Sequence, residues 1–133
     1  MVTDLAEVLD ELRATGEVAT RVTEWRVLAA REARYGPTPE ALHPAVIELL
    51  ARQGIERLYS HQSRAVAAAL AGRSVAVCTP TASGKSLCYH LPVLDALLRD
   101  EASCALYLFP TKALGHDQLH ALEGWTDALG LEG

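Results

Sequence analysis

A chain of 133 residues, half of them apolar and 22% charged, has the makeup of one small globular domain. No apolar run approaches the roughly 18 residues of a membrane span, and Asp4, Glu7, Asp10 and Glu11 stand where a secretory signal would be basic and then apolar, so a cytoplasmic protein is expected. The net charge of −5 sits mostly in residues 1–56, with 10 acids against 6 arginines, whereas residues 57–133 carry 7 acids and 6 bases; overall acidity speaks against a nucleic-acid binder, but a groove needs only local positive charge.

Leu5, Val8, Leu9 and Leu12 recur at helical spacing and Gly16 stops the run, which predicts a helix over about 3–15. Val18, Thr20 and Val22 alternate with polar residues, a weak strand signal. Residues 29–40 are charged and end in Gly36, Pro37 and Pro39, as a linker does. Residues 44–53 predict a second helix, with Val46, Leu49 and Leu50 on one face and Gly54 as its stop. Ser60 is placed to cap a helix through the Ala-rich stretch to Leu70, closed by Gly72. Val75-Ala76-Val77-Cys78 is a short continuous apolar run, as in a strand buried on both faces. A helix from Lys85 to about Arg99, a second buried-type strand Ala105–Phe109 ended by Pro110, and a helix from near Lys112 follow. This alternation implies a parallel sheet with helical crossovers. Cys78, Cys88 and Cys104 are odd in number, lack CxxC spacing and each lie in apolar sequence, so they read as small, reduced, buried hydrophobes.

Between the first strand and its helix lies Thr79-Pro80-Thr81-Ala82-Ser83-Gly84-Lys85-Ser86. Backbone amides at a helix N-terminus suit the dense charge of a nucleotide's phosphates. Gly84 permits close backbone approach. Lys85 is a point charge for the β- and γ-oxygens, and Ser86 offers a hydroxyl to Mg²⁺. Thr79 replaces the glycine that opens the strict pattern, and the competing reading is a solvated turn. The strand-loop-helix context favours nucleotide binding.

Three motifs stand in order: Leu58-Tyr59-Ser60-His61-Gln62, the loop 79–86, and Pro110-Thr111-Lys112-Ala113-Leu114-Gly115-His116-Asp117-Gln118. Together they resemble the adenine-reading, phosphate-binding and first nucleic-acid motifs of superfamily 2 DEAD/DEAH-box helicases. The surrounding phrases are most similar to the bacterial mitomycin-repair-factor branch, related to RecQ-like helicases. The resemblance covers about residues 40–123. It implies an α/β fold: the first part of a RecA-like lobe over 40–133, with a parallel sheet and flanking helices, behind a small mostly helical extension and linker over 1–39. It also implies ATP and Mg²⁺ as cofactors, with Gln62 bonding the adenine edge and Tyr59 stacking on the ring; ordinary packing is the alternative for Tyr59. Pro110, Thr111 and Lys112 would contact the backbone of single-stranded or partly duplex DNA without base readout, with RNA left open; Lys112 on its own would be an ordinary solvated lysine. Ten of the twelve basic residues are Arg, and the two lysines, Lys85 and Lys112, both fall inside these motifs.

Relatives often carry Ala-Gln at Gly115-His116, and Gly115 weakens the helix start by about 1 kcal/mol against Ala. His116-Asp117-Gln118-Leu119-His120 imitates a zinc spacing, but no third ligand is evident. Asp100-Glu101-Ala102-Ser103 imitates a DEAx box, yet it follows the end of a helix and not a buried strand, so it reads as a solvated turn. No acid pair for Mg²⁺ and water, and no second lobe with an arginine finger, is found. The expectation is an N-terminal fragment of an ATP-dependent, 3′-to-5′ DNA helicase tied to DNA repair, lacking its C-terminal lobe, marginally stable and inactive alone. The alternative is a non-catalytic nucleotide-binding or interaction fragment. A small-molecule kinase has no use for Gln62 or the 110–114 motif.

Overall fold

The computed structural model describes residues 4–26, 28–29, 32–100 and 102–131. It divides into two compact units, Met1–Glu32 and Ala33–Gly133.

The first unit holds α1 (Leu5–Ala14) and α2 (Gly16–Arg21). Asp4 caps α1, its carboxylate accepting from the Ala6 amide at 3.2 Å. The Arg13 guanidinium lies 4.4 Å from the Trp25 ring centroid. Of the alternating 18–22 segment, residues 18–21 are helical, contrary to the strand expected, and Val22 caps the helix end. A strand needs a neighbour, whereas a helix closes its own bonds, as Val22 N–H does on Val18 O at 3.0 Å.

The second unit contains β1 (Tyr35–Gly36), α3 (Pro44–Arg52), β2 (Leu58–Tyr59), α4 (Ser60–Leu70), α5 (Leu87–Arg99) and α6 (Lys112–Leu129). The expected helices form with small shifts at their ends. Gly54 and Gly72 stop α3 and α4 at φ +74° and +72°. Beyond each glycine the chain bonds back to the helix: Ile55 N–H to Leu50 O at 2.8 Å, and Arg73 N–H to Ala68 O at 3.0 Å. The 29–40 stretch is more than a linker, because β1 pairs antiparallel with β2, Tyr35 opposite Tyr59. Gly36 is required there: a Cβ would stand 2.7 Å from that of Ser63, whose hydroxyl donates to Pro37 O.

The parallel sheet expected of 75–78 and 105–109 is not seen among the described residues. Among the described residues the one sheet is the β1–β2 pair, and 73–80 and 103–109 run without strand pairing. The reason is physical: each run needs partners on its flanks for its amides and carbonyls, and the two do not pair with each other. For the same reason Cys78 and Cys104 are exposed, not buried as expected, while Cys88 on α5 is buried; burial holds the Cys88 thiol above its usual pKa.

The core is helical. Leu42, Val46, Leu49 and Leu50 around α3 pack with Leu58, Val66 of α4, and Leu91 and Leu94 of α5, and Leu122, Trp125 and Leu129 of α6 lean on the cluster. Each such side chain contributes roughly 1.5–3 kcal/mol by leaving water. A polar clasp ties α3 to α5: buried Asp95 accepts from the His43 amide at 2.6 Å and from Arg99 Nε at 2.7 Å. Among the described residues no helix is long and apolar enough to cross a membrane.

Candidate nucleotide and nucleic-acid site

The loop 79–86 leads into the N-terminus of α5 with its donors unspent. The loop turns at 81–82 and 85–86, yet no amide from Thr81 to Leu87 makes a well-aligned short hydrogen bond to another described residue; the first that does is Cys88, to Lys85 O at 2.9 Å. Ala82 holds φ +57°, in the left-handed region that costs a non-glycine residue of order 1–3 kcal/mol. Gly84 follows at φ +74°, and a Cβ on it would stand 2.6 Å from Gln62 Nε2. The positive φ favours glycine at 84, and a Cβ there would push the Gln62 carboxamide aside. Lys85 Nζ donates to Thr79 O at 2.9 Å and Pro80 O at 2.5 Å, so its charge rests on neutral carbonyls of its own loop, with no carboxylate among the described residues paired to it. The Thr79 and Ser83 hydroxyls lie 2.7 Å apart. Ser86 stands at the helix start, but its hydroxyl makes no cap bond.

Gln62 is buried and bridges two motifs. Its Oε1 accepts from the Tyr59 amide at 2.8 Å, and its Nε2 donates to Gly84 O at 2.8 Å. One lone pair and one N–H of the carboxamide remain for another partner. Tyr59 is 40% exposed; its ring stacks on Tyr35, centroids 5.4 Å apart, and on His61 at 5.9 Å. A cavity of about 480 Å³ opens here, lined by Tyr35, Arg57, Tyr59, Gln62, Gly84 and Leu87 among others. Tyr35 and Arg57 were not singled out from sequence. The Arg57 guanidinium lies 4.2 Å from the Tyr35 centroid. No sequence signal marks them, because it is the pairing of the supposed linker with the strand next to Arg57 that brings them here.

Pro110, Thr111 and Lys112 are exposed at the N-terminus of α6. The Thr111 hydroxyl caps that helix, accepting from the Leu114 amide at 3.3 Å. The Asp100 carboxylate accepts from the Ala102 amide at 3.0 Å, a local turn; Glu101 lies outside the described residues. His116 and His120 are exposed on α6, and among the described residues no three of His, Cys, Asp and Glu gather as metal ligands do.

Between α5 and α6 is a half-buried polar cluster, with His90 its one buried member, that the sequence motifs leave without a role. Tyr89 Oη lies 2.6 Å from Gln118 Oε1 and 3.3 Å from Ser86 Oγ. His90 Nδ1 is 3.3 Å from Tyr107 Oη, and its buried Nε2 has no hydrogen-bond partner among the described residues. Burial lowers the His90 pKa, the Gln118 side chain partly opposing. Burial, with Tyr89 next to it, pushes Tyr107 up to about 12, so both rings are neutral at pH 7.

The family described as DEAD/DEAH box helicase matches residues 59–132. The chain is 41% identical over 128 residues to the uncharacterized ATP-dependent helicase YprA of Bacillus subtilis, covering 96% of this chain and 17% of that protein. It is 34% identical over 123 residues to the ATP-dependent helicase HRQ1 of Saccharomyces cerevisiae, covering 92% of this chain and 11% of that one. A crystal structure of the DUF1998 helicase MrfA bound to DNA and AMPPNP superposes with a TM-score of 0.78 at 40% identity, over 98% of this chain and 18% of that one. The chain therefore spans under a fifth of the length of these relatives. Open amides at the foot of α5, the Gln62 bond to the Gly84 carbonyl among them and the match over 59–132 agree, and this chain belongs to the DEAD/DEAH box helicase family.

Proposed function

We propose that this chain is the nucleotide-gripping part of an ATP-dependent DNA helicase or translocase acting in DNA repair. The observation that carries the reading is the run of amides from Thr81 to Leu87, none in a well-aligned short bond to another described residue, beside a Lys85 cation that among the described residues meets only neutral carbonyls. Unspent donors next to an unpaired cation form an anion site. The cavity of about 480 Å³ beside Gly84 is within the usual range of ligand pockets.

The residues fit ATP with Mg²⁺. Lys85 leaves its loop carbonyls and turns to the β- and γ-phosphates, with Thr79, Pro80, Thr81, Ala82, Ser83 and Gly84 shaping the cradle. Ser86 would hold a magnesium ion by its hydroxyl, and such an ion would supply positive charge against the phosphates. Gln62 offers its remaining N–H and lone pair to the adenine edge while still holding Gly84. Tyr59, Tyr35 and Arg57 present ring and guanidinium faces to the base. At the start of α6, Pro110, Thr111 and Lys112 meet the phosphates of single-stranded or partly duplex DNA, or of RNA as the second candidate. The MrfA structure with DNA and AMPPNP, a relative of 40% identity, supports this pairing of ligands.

The remaining points of the proposal are architectural. Residues 40–133 belong to a RecA-like lobe whose parallel sheet takes 75–78 and 105–109 as strands, 1–39 form an extension, the protein is cytoplasmic, and movement runs 3′ to 5′. The test is Lys85→Ala in the intact protein. ATP turnover is expected to vanish with an unchanged far-ultraviolet dichroism spectrum; turnover at the parent rate rejects the site.

A further inference from the structure

Helix α5 starts at the phosphate loop, and α6 starts at Thr111-Lys112. One side chain touches both ends of the gap between them. Tyr89, in the first turn of α5, places its hydroxyl 2.6 Å from Gln118 Oε1 of α6 and 3.3 Å from Ser86 Oγ. Gln118 lies six residues past Lys112, about 9 Å along the helix at 1.5 Å per residue.

Proton counting gives the contact a direction. A phenol has one proton, and an amide oxygen only accepts. At 2.6 Å the Tyr89 proton belongs to Gln118 Oε1. The 3.3 Å contact with Ser86 then requires the serine hydroxyl to donate and Tyr89 to accept. The chain of bonds runs Ser86 to Tyr89 to Gln118. The ring is held independently of its hydroxyl: it meets His90 and Tyr107 edge-on, at centroid distances of 4.6 and 5.8 Å.

We propose that Tyr89 is a positioning residue that couples the nucleotide site to the nucleic-acid site through the Ser86–Tyr89–Gln118 hydrogen-bond chain. The inference rests on the reading of Ser86 as the metal-side hydroxyl and of Lys112 as a nucleic-acid contact. A Ser86 oxygen that gives a lone pair to a cation holds its proton less tightly, so it donates more strongly to Tyr89. Tyr89 in turn donates more strongly to Gln118, since hydrogen bonds in series polarise one another. This favours the α6 position in which Gln118 is within reach and Lys112 is presented. By linkage, nucleic acid on Lys112 favours the loop in the same measure.

The experiment measures four affinities of the intact protein: for a non-hydrolysable ATP analogue with Mg²⁺, for a fluorescent single-stranded oligonucleotide, and for each in the presence of the other. Tyr89→Phe keeps the ring and removes the relay. The two separate affinities are expected to stay within about twofold, while the factor by which each ligand tightens the other falls about threefold to tenfold, the worth of one interior hydrogen bond. Gln118→Leu breaks the same chain from the other helix and is expected to lose the same factor, with no further loss in the double variant. Unchanged coupling in either well-folded variant overturns the proposal, as does equal weakening of both separate affinities with coupling intact, the mark of a merely structural tyrosine. A parent protein that binds both ligands without coupling sinks the relay and leaves the site standing. A parent whose analogue affinity is indifferent to Lys85→Ala sinks the site and the relay together.

Discussion

The helical core and the two extended segments of the second unit are equally apolar in sequence and differ in outcome. Leu91 and Leu94 of α5 are fully buried, whereas Leu106 and Leu108 are 85% and 83% exposed. A helix satisfies its backbone from its own carbonyls, so it needs a neighbour only for its apolar face, and α3, α4 and α5 supply that to one another. A strand needs neighbours for its backbone as well. Residues 75–78 and 105–109 have no such neighbours among the described residues. Helices in this chain are specified locally, and strands by sequence that must arrive from elsewhere in space.

The sharpest way to break the comparison is at its buried end. Leu91→Ala in the 133-residue chain removes a side chain with no exposed surface and is expected to cost about 2–5 kcal/mol. Urea unfolding read by circular dichroism measures it. A loss below about 1 kcal/mol means that the core is not packed as described.

A smaller effect probes the seam between core and extended segment, where His90 of α5 meets Tyr107. Burial lowers the folded His90 pKa below the ordinary value of 6.5. The sign follows from the proton count. Between the lowered folded value and 6.5 the unfolded chain binds more protons, so stability rises with pH across that window and is lost as pH falls through 6.5. His90→Phe is expected to flatten the stability profile over that interval relative to the parent. Two profiles that run parallel from pH 7 to pH 5 exclude His90 as a buried neutral group.

The same contrast explains what could be read in advance. Helices around Val46, Leu49, Leu50 and Leu91 were legible because periodicity and glycine stops are local. The loop was legible because amide, cation and hydroxyl must lie adjacent in sequence to serve one phosphate group. Tyr35 and Arg57 were not legible as neighbours, since β1 and β2 are joined by a pairing that no motif announces. The Tyr89–Gln118 contact spans 29 positions in sequence and depends on how α5 and α6 lie against each other. The double hold of Gln62 on Tyr59 and Gly84 belongs to the same class: the residue was found, but its backbone partners were not. The alternation at 18–22 misled because a two-residue period is necessary for a strand and insufficient without a partner.

The smallest expected effect tests the exposed end. Leu106→Thr keeps the preference for extended backbone and removes apolar surface that is already 85% in water. In the 133-residue chain, little burial is lost, so the midpoint of urea unfolding should move by less than the equivalent of about 0.5 kcal/mol. The exposed Leu106 also raises the tendency of the chain to associate through unpaired strand edges. Threonine there is expected to lower light scattering at high concentration even as stability stays the same. A destabilisation near that of Leu91→Ala would show Leu106 buried in the folded chain. The contrast between self-sufficient helices and dependent strands would then fail at the residue where it is drawn most strongly.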